Sequence, residues 1–220
     1  MECISLQVAG DELVLWADHA IHWPNQAMLI VADIHLGRSQ VHRDRGLFLP
    51  EGNDQRDLDR LAALLDRTNA KQLLVLGDLF HGQASVEPET LQRLKGWVDQ
   101  QGVTLALVDG NHDRRSLRKQ DIDFVERHGE PLEVGPFLMA HEPCEHPSLY
   151  PLCGHLHPGI RYRDGVGCAF RSKAFWLRQQ HAILPAFGGT TSFVTLNRDR
   201  DDRIFACNGR NIQELAVQAK

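Results

Sequence analysis

Four apolar runs of strand length, at residues 27–32, 72–76, 103–108 and 137–140, each stop just before a polar segment rich in Asp, Asn or His. They predict buried strands. Between the first two, Leu58, Leu61, Ala62 and Leu65 fall at i, i+3, i+4 and i+7, the stripe of an amphipathic helix, here read over residues 53–67 with Asn53 as N-cap. Pro88 sits where a first helical turn tolerates it, and Leu91, Leu94, Trp97 and Val98 continue at helical spacing. The order is strand, helix, strand, helix, strand. Residues 4–8 and 12–16 flank Ala9-Gly10-Asp11 and read as a hairpin. In the last third the pattern changes to short β-rich runs at 171–177, 181–187, 192–196 and 203–206, broken by Gly, Asn and Asp. A second sheet is expected there. With no repeat, low-complexity tract or linker in view, the expectation is one α/β domain over residues 1–220, two mixed sheets packed face to face and flanked by helices.

A chain of 220 residues with 42% hydrophobic and 24% charged positions is long enough to bury a core without disulfides. The five cysteines, Cys3, Cys144, Cys153, Cys168 and Cys207, are odd in number and contain no C-x-x-C pair, against a disulfide framework or a zinc ribbon. Asp11, Glu12 and Asp18 interrupt the stretch a signal peptide would need, and no window approaches eighteen uncharged apolar residues. The expected compartment is the cytoplasm. A formal net charge of −5 gives no global attraction for a polyanion and disfavours a DNA-coating role. Basic clusters at Arg38/Arg43/Arg45, Arg114/Arg115/Arg118/Lys119 and Arg161/Arg163/Arg171/Lys173 read by default as solvated surface.

Chemistry concentrates where the strands end. Asp33 and His35 follow the first run as A-D-I-H-L-G, Asp78 the second as L-G-D-L, and Asn111, His112 and Asp113 the third as G-N-H-D; His141 in M-A-H-E-P follows the fourth, and His155 and His157 stand in C-G-H-L-H-P. Open α/β sheets place their ligands at such carboxyl ends. Taken singly, each motif is more often a helix cap or turn. Five in order, flanked by Gly77, Gly110 and Gly154, argue against coincidence. Mixed carboxylate, amide and imidazole donors suit Mn²⁺, Fe²⁺ or Zn²⁺, and seven candidates exceed one tetrahedral site, so two ions are implied. His81 is open between lining the site and packing beneath it, with a supporting role favoured. His19, His22, His42, His128, His146 and His181 read as surface or turn residues, and Cys153 as a small buried apolar one.

In this order the motifs resemble the calcineurin-like metallophosphoesterase superfamily, from about Asp33 to His157. The resemblance implies its αββα sandwich, with Asp33, His35 and His157 on one metal, Asn111, His141 and His155 on the other, and Asp78 bridging. It gives His112 no metal but a place over the scissile phosphate, as general acid or electrostatic stabiliser. A-D-I-H-L-G-R, R-G-L-F-L-P-E-G, L-G-D-L-F-H, A-H-E-P, C-G-H-L-H-P-G and L-P-A-F-G are further similar to its bacterial ligase-associated branch, a DNA damage response endonuclease or phosphoesterase. That likeness implies a nucleic-acid substrate, a role in DNA repair, and functional association with a DNA ligase and a helicase. Gly188-Gly189-Thr190-Thr191-Ser192 departs from the branch where a bulkier residue is expected.

The mechanism expected is attack by metal-activated hydroxide, His112 protonating the departing oxygen and Asp113 orienting its ring. Mn²⁺ is the favoured ion, with Fe or Zn as alternatives. Arg38 and Arg114 are candidates to clasp substrate phosphate. One dimetal site also serves small phosphoesters, nucleotides and phosphoproteins; a non-catalytic scaffold is a third class, against which the complete donor set and His112 speak.

Overall fold

The computed structural model describes residues 1–44, 46, 52–118, 122–129, 131–163, 169–195 and 197–215. Arg45, Lys119, Cys168, the side chain of Arg163 and most of R-G-L-F-L-P-E-G lie outside the described residues. The first sheet is built from β1 (Cys3–Val8), β2 (Asp11–Trp16), β3 (Ala20–Trp23), β4 (Met28–Val31), β5 (Gln72–Leu76), β6 (Thr104–Val108) and β7 (Val125–His128), in that spatial order. Strands β1 to β4 pair antiparallel and β4 to β7 parallel. Helices α1 (Arg38–Asp44), α2 (Asn53–Thr68), α3 (Pro88–Gln101) and α4 (Asn111–Ser116) fall in the parallel half.

The second sheet comprises β8 (Leu132–Val134), β9 (Phe137–Met139), β10 (Tyr150–Cys153), β11 (Pro158–Arg163), β12 (Ala169–Leu177), β13 (Ala182–Ile183), β14 (Val194–Thr195), β15 (Arg203–Cys207) and β16 (Ile212–Glu214). Its order is β14-β11-β12-β13-β10-β9-β8, with β15 beside β12 and β16 beside β15. Strands β9, β10 and β13 run parallel.

Two-residue alternation sorts the first sheet's side chains into two cores. Leu29, Val31, Leu73, Val75, Leu105 and Leu107 meet Leu58, Leu61 and Leu65 of α2 and Leu94, Trp97 and Val98 of α3. Met28, Ile30, Leu74, Leu76 and Val108 face the second sheet's Phe137, Met139, Leu152, Phe175 and Phe205. Strands buried on both faces need apolar residues at every position, which is why these runs show no alternation. Trp23 crosses the interface edge-on to Phe137, ring centroids 4.9 Å apart.

The two packed mixed sheets and the two long helices are as expected. Among the described residues no helix follows Ser116; the outer face of the second sheet carries a small cluster of Ala174, Trp176, Ile183 and Ile204. Asn53 is not the N-cap of α2: Gly52 caps it in a left-handed conformation, and the Asn53 amide donates to Ser39 Oγ at 2.8 Å. The carboxyl ends of the parallel strands of both sheets meet along one edge. Residues 184–189 tie them together there: Leu184 N–H donates to Cys153 O (2.7 Å), Phe187 N–H to Ala32 O (2.8 Å) and Gly188 N–H to Asp33 O (3.2 Å).

Phe175 is fully buried between the sheets. Phe175→Ala should therefore cost about 3–5 kcal/mol in urea unfolding; a loss below about 1 kcal/mol would contradict face-to-face packing at that point.

Candidate metal centre

Asp33 and His35 follow β4, Asp78 follows β5, Asn111 and His112 open α4 just beyond β6, His141 follows β9, and His155 and His157 follow β10. Backbone pairing continues past the strand ends. Asp33 N–H donates to Gly77 O (3.0 Å), His35 N–H to Asp78 O (2.9 Å) and Gly154 N–H to His141 O (2.9 Å). Asp33, His35, Asp78, His155 and His157 all have φ between 48° and 69°. This left-handed region costs an L-residue on the order of 1 kcal/mol, and Asp, Asn and His are the side chains found there most readily after glycine. The same crowding explains two of the glycines: a Cβ on Gly77 would collide with the His141 imidazole, and one on Gly110 with the Asp78 carboxylate.

Among the described residues three groups of donor atoms gather, His35 with His81 and His112 being one, and the expected ligands make up the other two. In the first, His157 Nε2 lies 3.3 Å from Asp33 Oδ1 and 3.5 Å from His35 Nε2. In the second, His155 Nδ1 lies 3.0 Å from His141 Nε2, which in turn is 3.2 Å from Asn111 Oδ1. Asp78 stands between them, Oδ2 3.9 Å from His35 Nε2 and Oδ1 3.7 Å from His141 Nε2. All seven residues singled out as ligands from the sequence come together.

Whether this arrangement fits a cation can be tested on its protons. His141 Nδ1 faces the carbonyl of Leu76 at 3.0 Å; a carbonyl only accepts, so Nδ1 carries the hydrogen and Nε2 of the neutral ring is a bare lone pair. That lone pair points among Asn111 Oδ1, Asp78 Oδ1 and His155 Nδ1. Asp33 Oδ1 is buried with no hydrogen-bond partner, a costly state for a carboxylate oxygen. A lone pair on His141 Nε2 turned toward Asn111 Oδ1, beside a buried carboxylate oxygen without a hydrogen-bond partner, fits a bound cation. Burial, then His157, His81, His112 and Arg38, pushes the His35 pKa down to about 2, which keeps its ring neutral, the form in which imidazole ligates. Burial pushes the Asp78 carboxyl up from its ordinary value, against the pull of His141 and the His112 N–H.

His112 stands at the edge of this cluster, partly exposed, with Nε2 4.0 Å from Asp78 Oδ2. Asp113 does not orient it. The Asp113 carboxylate is fully buried and accepts the N–H groups of Gly110 (3.0 Å), Phe80 (3.0 Å) and Leu79 (3.3 Å), a capping interaction for α4. Burial raises its pKa to about 6. The His112 ring is held instead by the carbonyl of His81, which faces Nδ1. The His81 ring stacks on His112 with centroids 5.0 Å apart, and its Nδ1 lies 3.4 Å from His35 Nδ1; of the two roles left open for His81, it lines the cluster. Arg38, half-buried at the start of α1, is near enough to lower the His35 pKa. Arg114 is exposed on α4, and no described hydrogen bond or ion pair ties it to the cluster.

Residues not singled out from the sequence brace the centre from behind. Lys173, expected at the surface, is mostly buried, its pKa lowered by burial to about 8, and it donates to Ala186 O and Gly188 O at 2.7 Å each. Asp57 accepts Gly189 N–H at 2.9 Å, and Arg60 donates to Asp57 Oδ1 (2.9 Å) and Phe187 O (3.1 Å). His19, expected at a turn, does lie in one, but buried with Nδ1 3.2 Å from Arg60. Together they fix the segment whose Gly188 N–H holds the carbonyl of Asp33.

Fold and donor set define a metal-dependent phosphoester hydrolase. The chain belongs to the calcineurin-like phosphoesterase family, whose model matches residues 27–211. Among solved structures it is similar to the nuclease MPE of Pseudomonas putida, at 28% identity over 97% of this chain and 100% of that one, with a TM-score of 0.82. It also resembles Yfce, a phosphoesterase from E. coli, at 15% identity over 87% of this chain and 99% of that one, with a TM-score of 0.43. A comparison with curated proteins finds no match.

Because Asp113 satisfies three buried N–H groups, Asp113→Ala should cost about 2–4 kcal/mol of stability in urea unfolding. Unchanged stability with turnover abolished would restore the orienting role.

Proposed function

We propose that the chain hydrolyses phosphodiester bonds of nucleic acid, DNA first with RNA as the alternative polymer, at a two-metal centre. What carries the proposal is likeness along the whole chain, at 28% identity, to a nuclease. It is joined by a carboxylate, Asp78, whose two oxygens face separate imidazole groups. Asp33, His35 and His157 would hold one ion and Asn111, His141 and His155 the other, with Asp78 shared. This donor set suits Mn²⁺ first, and Fe or Zn as alternatives. Bound there, the two ions supply Lewis-acid chemistry, polarising the phosphoryl oxygens and making water acidic near neutral pH.

The chain's own groups position and protonate. The His81 carbonyl keeps a hydrogen on His112 Nδ1 and leaves Nε2 on the Asp78 side, where the imidazolium form carries a second hydrogen. From there it gives its proton to the departing oxygen. Arg38 supplies a fixed positive charge beside His35 for a substrate phosphate. Placement in cytoplasmic DNA repair, alongside a DNA ligase and a helicase, is supported by the motif resemblance alone.

The deciding experiment reloads chelated protein with Mn²⁺ and compares single-stranded DNA, duplex DNA, RNA, cyclic nucleotides and a phosphopeptide. Polymer cleavage is expected to dominate; turnover confined to the phosphopeptide or the cyclic nucleotides would overturn the proposal. Metal analysis tests the ligand assignment separately: Asp78→Asn should lower occupancy at both positions and Asp33→Asn mainly at one. Equal loss in both variants would contradict the shared role of Asp78.

His112→Ala should keep about two ions per chain while lowering kcat on DNA by roughly 10²–10⁴. The defect should shrink on nitrophenyl esters, whose leaving group departs without much protonation. Full DNA cleavage by His112→Ala protein would remove the residue from the mechanism.

A further inference from the structure

Strand β11 leaves the metal centre directly, starting one residue after His157, and returns as β12. At Lys173, β12 is flanked on both sides, by Gly159 of β11 and Cys207 of β15; residues 169–172 pair with β11 alone. The outer half of the hairpin therefore projects past the edge where the ligands gather. Alternation fixes its faces. Phe175 and Cys207 point between the sheets, and Lys173 and Arg171 continue that face at a period of two. Gly159 and Arg161, their cross-strand partners, share it. Ala174, Trp176 and Ile160 occupy the opposite face.

On this inner face Arg161 and Arg171 stand directly opposite one another, both exposed. Among the described residues neither has a carboxylate partner. Like charges at directly opposed positions destabilise a sheet, and an anion bound between them would offset that repulsion. Arg171 is also held in place: its guanidinium lies 5.1 Å from the ring centroid of Phe193. That ring rests on Gly159, where a Cβ would collide with it. Phe193 follows the Gly188-to-Ser192 segment that set this sequence apart, and its neighbour Val194 donates N–H to the carbonyl of His157 at 2.9 Å. Arg161 lies four residues along the strand from His157, about 13 Å at the rise of an extended strand, the axial length of roughly four base pairs of duplex.

We propose that Arg161 and Arg171, with Phe193 positioning the latter, form a ledge that binds the sugar–phosphate backbone of a polynucleotide strand running outward from the cleaved bond. The planar guanidinium stacked on an aromatic ring is pre-organised for phosphate. A net charge of −5 leaves attraction of a polyanion to such local patches. The ledge rests on the nuclease proposal above, but makes a separate prediction, because bis-nitrophenyl phosphate is too short to reach it.

The test compares wild type with the double variant Arg161→Gln/Arg171→Gln, both Mn²⁺-loaded, on DNA and on bis-nitrophenyl phosphate. The ratio of the two kcat/KM values should fall at least tenfold in favour of the small ester. The slope of log(kcat/KM) on DNA against log[salt] should flatten by about one unit per charge removed. Arg161→Lys/Arg171→Lys, which keeps both charges, should retain most of the wild-type slope, separating lost binding from lost folding. Wild-type protein that cleaves DNA alongside a double variant with unchanged ratio and slope overturns the ledge and leaves the nuclease proposal standing. Wild-type protein that hydrolyses the small ester but no polynucleotide overturns both.

Discussion

The constraint on which the rest of this structure depends is that carboxylate, amide and imidazole groups with lone pairs to offer are crowded together at one buried edge. His141 spends its one hydrogen on the Leu76 carbonyl and turns a lone pair toward Asn111, Asp78 and His155, while Asp33 Oδ1 is buried without a donor. Without a cation these groups repel one another and pay for desolvation as well. A chain that keeps them within 4.8 Å of one another must therefore hold them by something other than their mutual contacts.

That holding is done by backbone and by the layer behind the site. Parallel strands from two sheets deliver their carboxyl ends to one edge, and hydrogen bonds continue across 33–36 and 77–81 after the strands end. Five of the candidate ligand residues sit in the left-handed region, at a combined cost of several kcal/mol, comparable to a sizeable part of an ordinary domain's stability. The surroundings over-determine them: Asp33 Oδ2 receives His155 N–H (2.9 Å) and Asp78 Oδ1 receives His112 N–H (2.8 Å). Lys173, Asp57 and Arg60 anchor the segment on which the Asp33 carbonyl rests. Strain at the site and rigidity behind it are thus two sides of one arrangement.

The central strands and five of the seven candidate ligands, Asp33, His35, Asp78, Asn111 and His141, were legible in the sequence for the same reason: a continuous apolar run that breaks into Asp, Asn or His marks both a strand buried on two faces and its polar end; His155 and His157 were legible only from their own G-H-L-H pattern. What was illegible depends on contacts distant in the chain. Strand β10 contains Pro151 and β11 opens with Pro158-Gly159, signals that count against a strand until pairing with β9 and β12 supplies the context. G-N-H-D gave no means of telling whether Asp113 serves its neighbouring histidine or the helix start. The buried N–H groups of Leu79 and Phe80, over thirty residues away, decide for the helix. Lys173 looked like one more surface cation because charge patterning carries no information about the carbonyls of Ala186 and Gly188.

A centre built this way is indifferent to everything but a phosphate and a leaving oxygen, since its ligands are committed to one another and to the backbone. Discrimination among phosphoesters must come from groups that the ligand geometry leaves free. Here those are His112, whose Nε2 is the exposed end of a ring fixed at Nδ1, and the arginines that stand off the edge. An overall charge of −5 opposes rather than assists the approach of a long polyanion. On the nuclease proposal, a polymer would gain locally, from Arg38 beside the candidate ligands and from the opposed Arg161 and Arg171 beyond them, what the protein as a whole withholds. A small ester needs none of these outer charges. On the two proposals above, reaction type and substrate length would be set by different parts of the chain, the first by the strand ends of both sheets and the second by the β11–β12 hairpin.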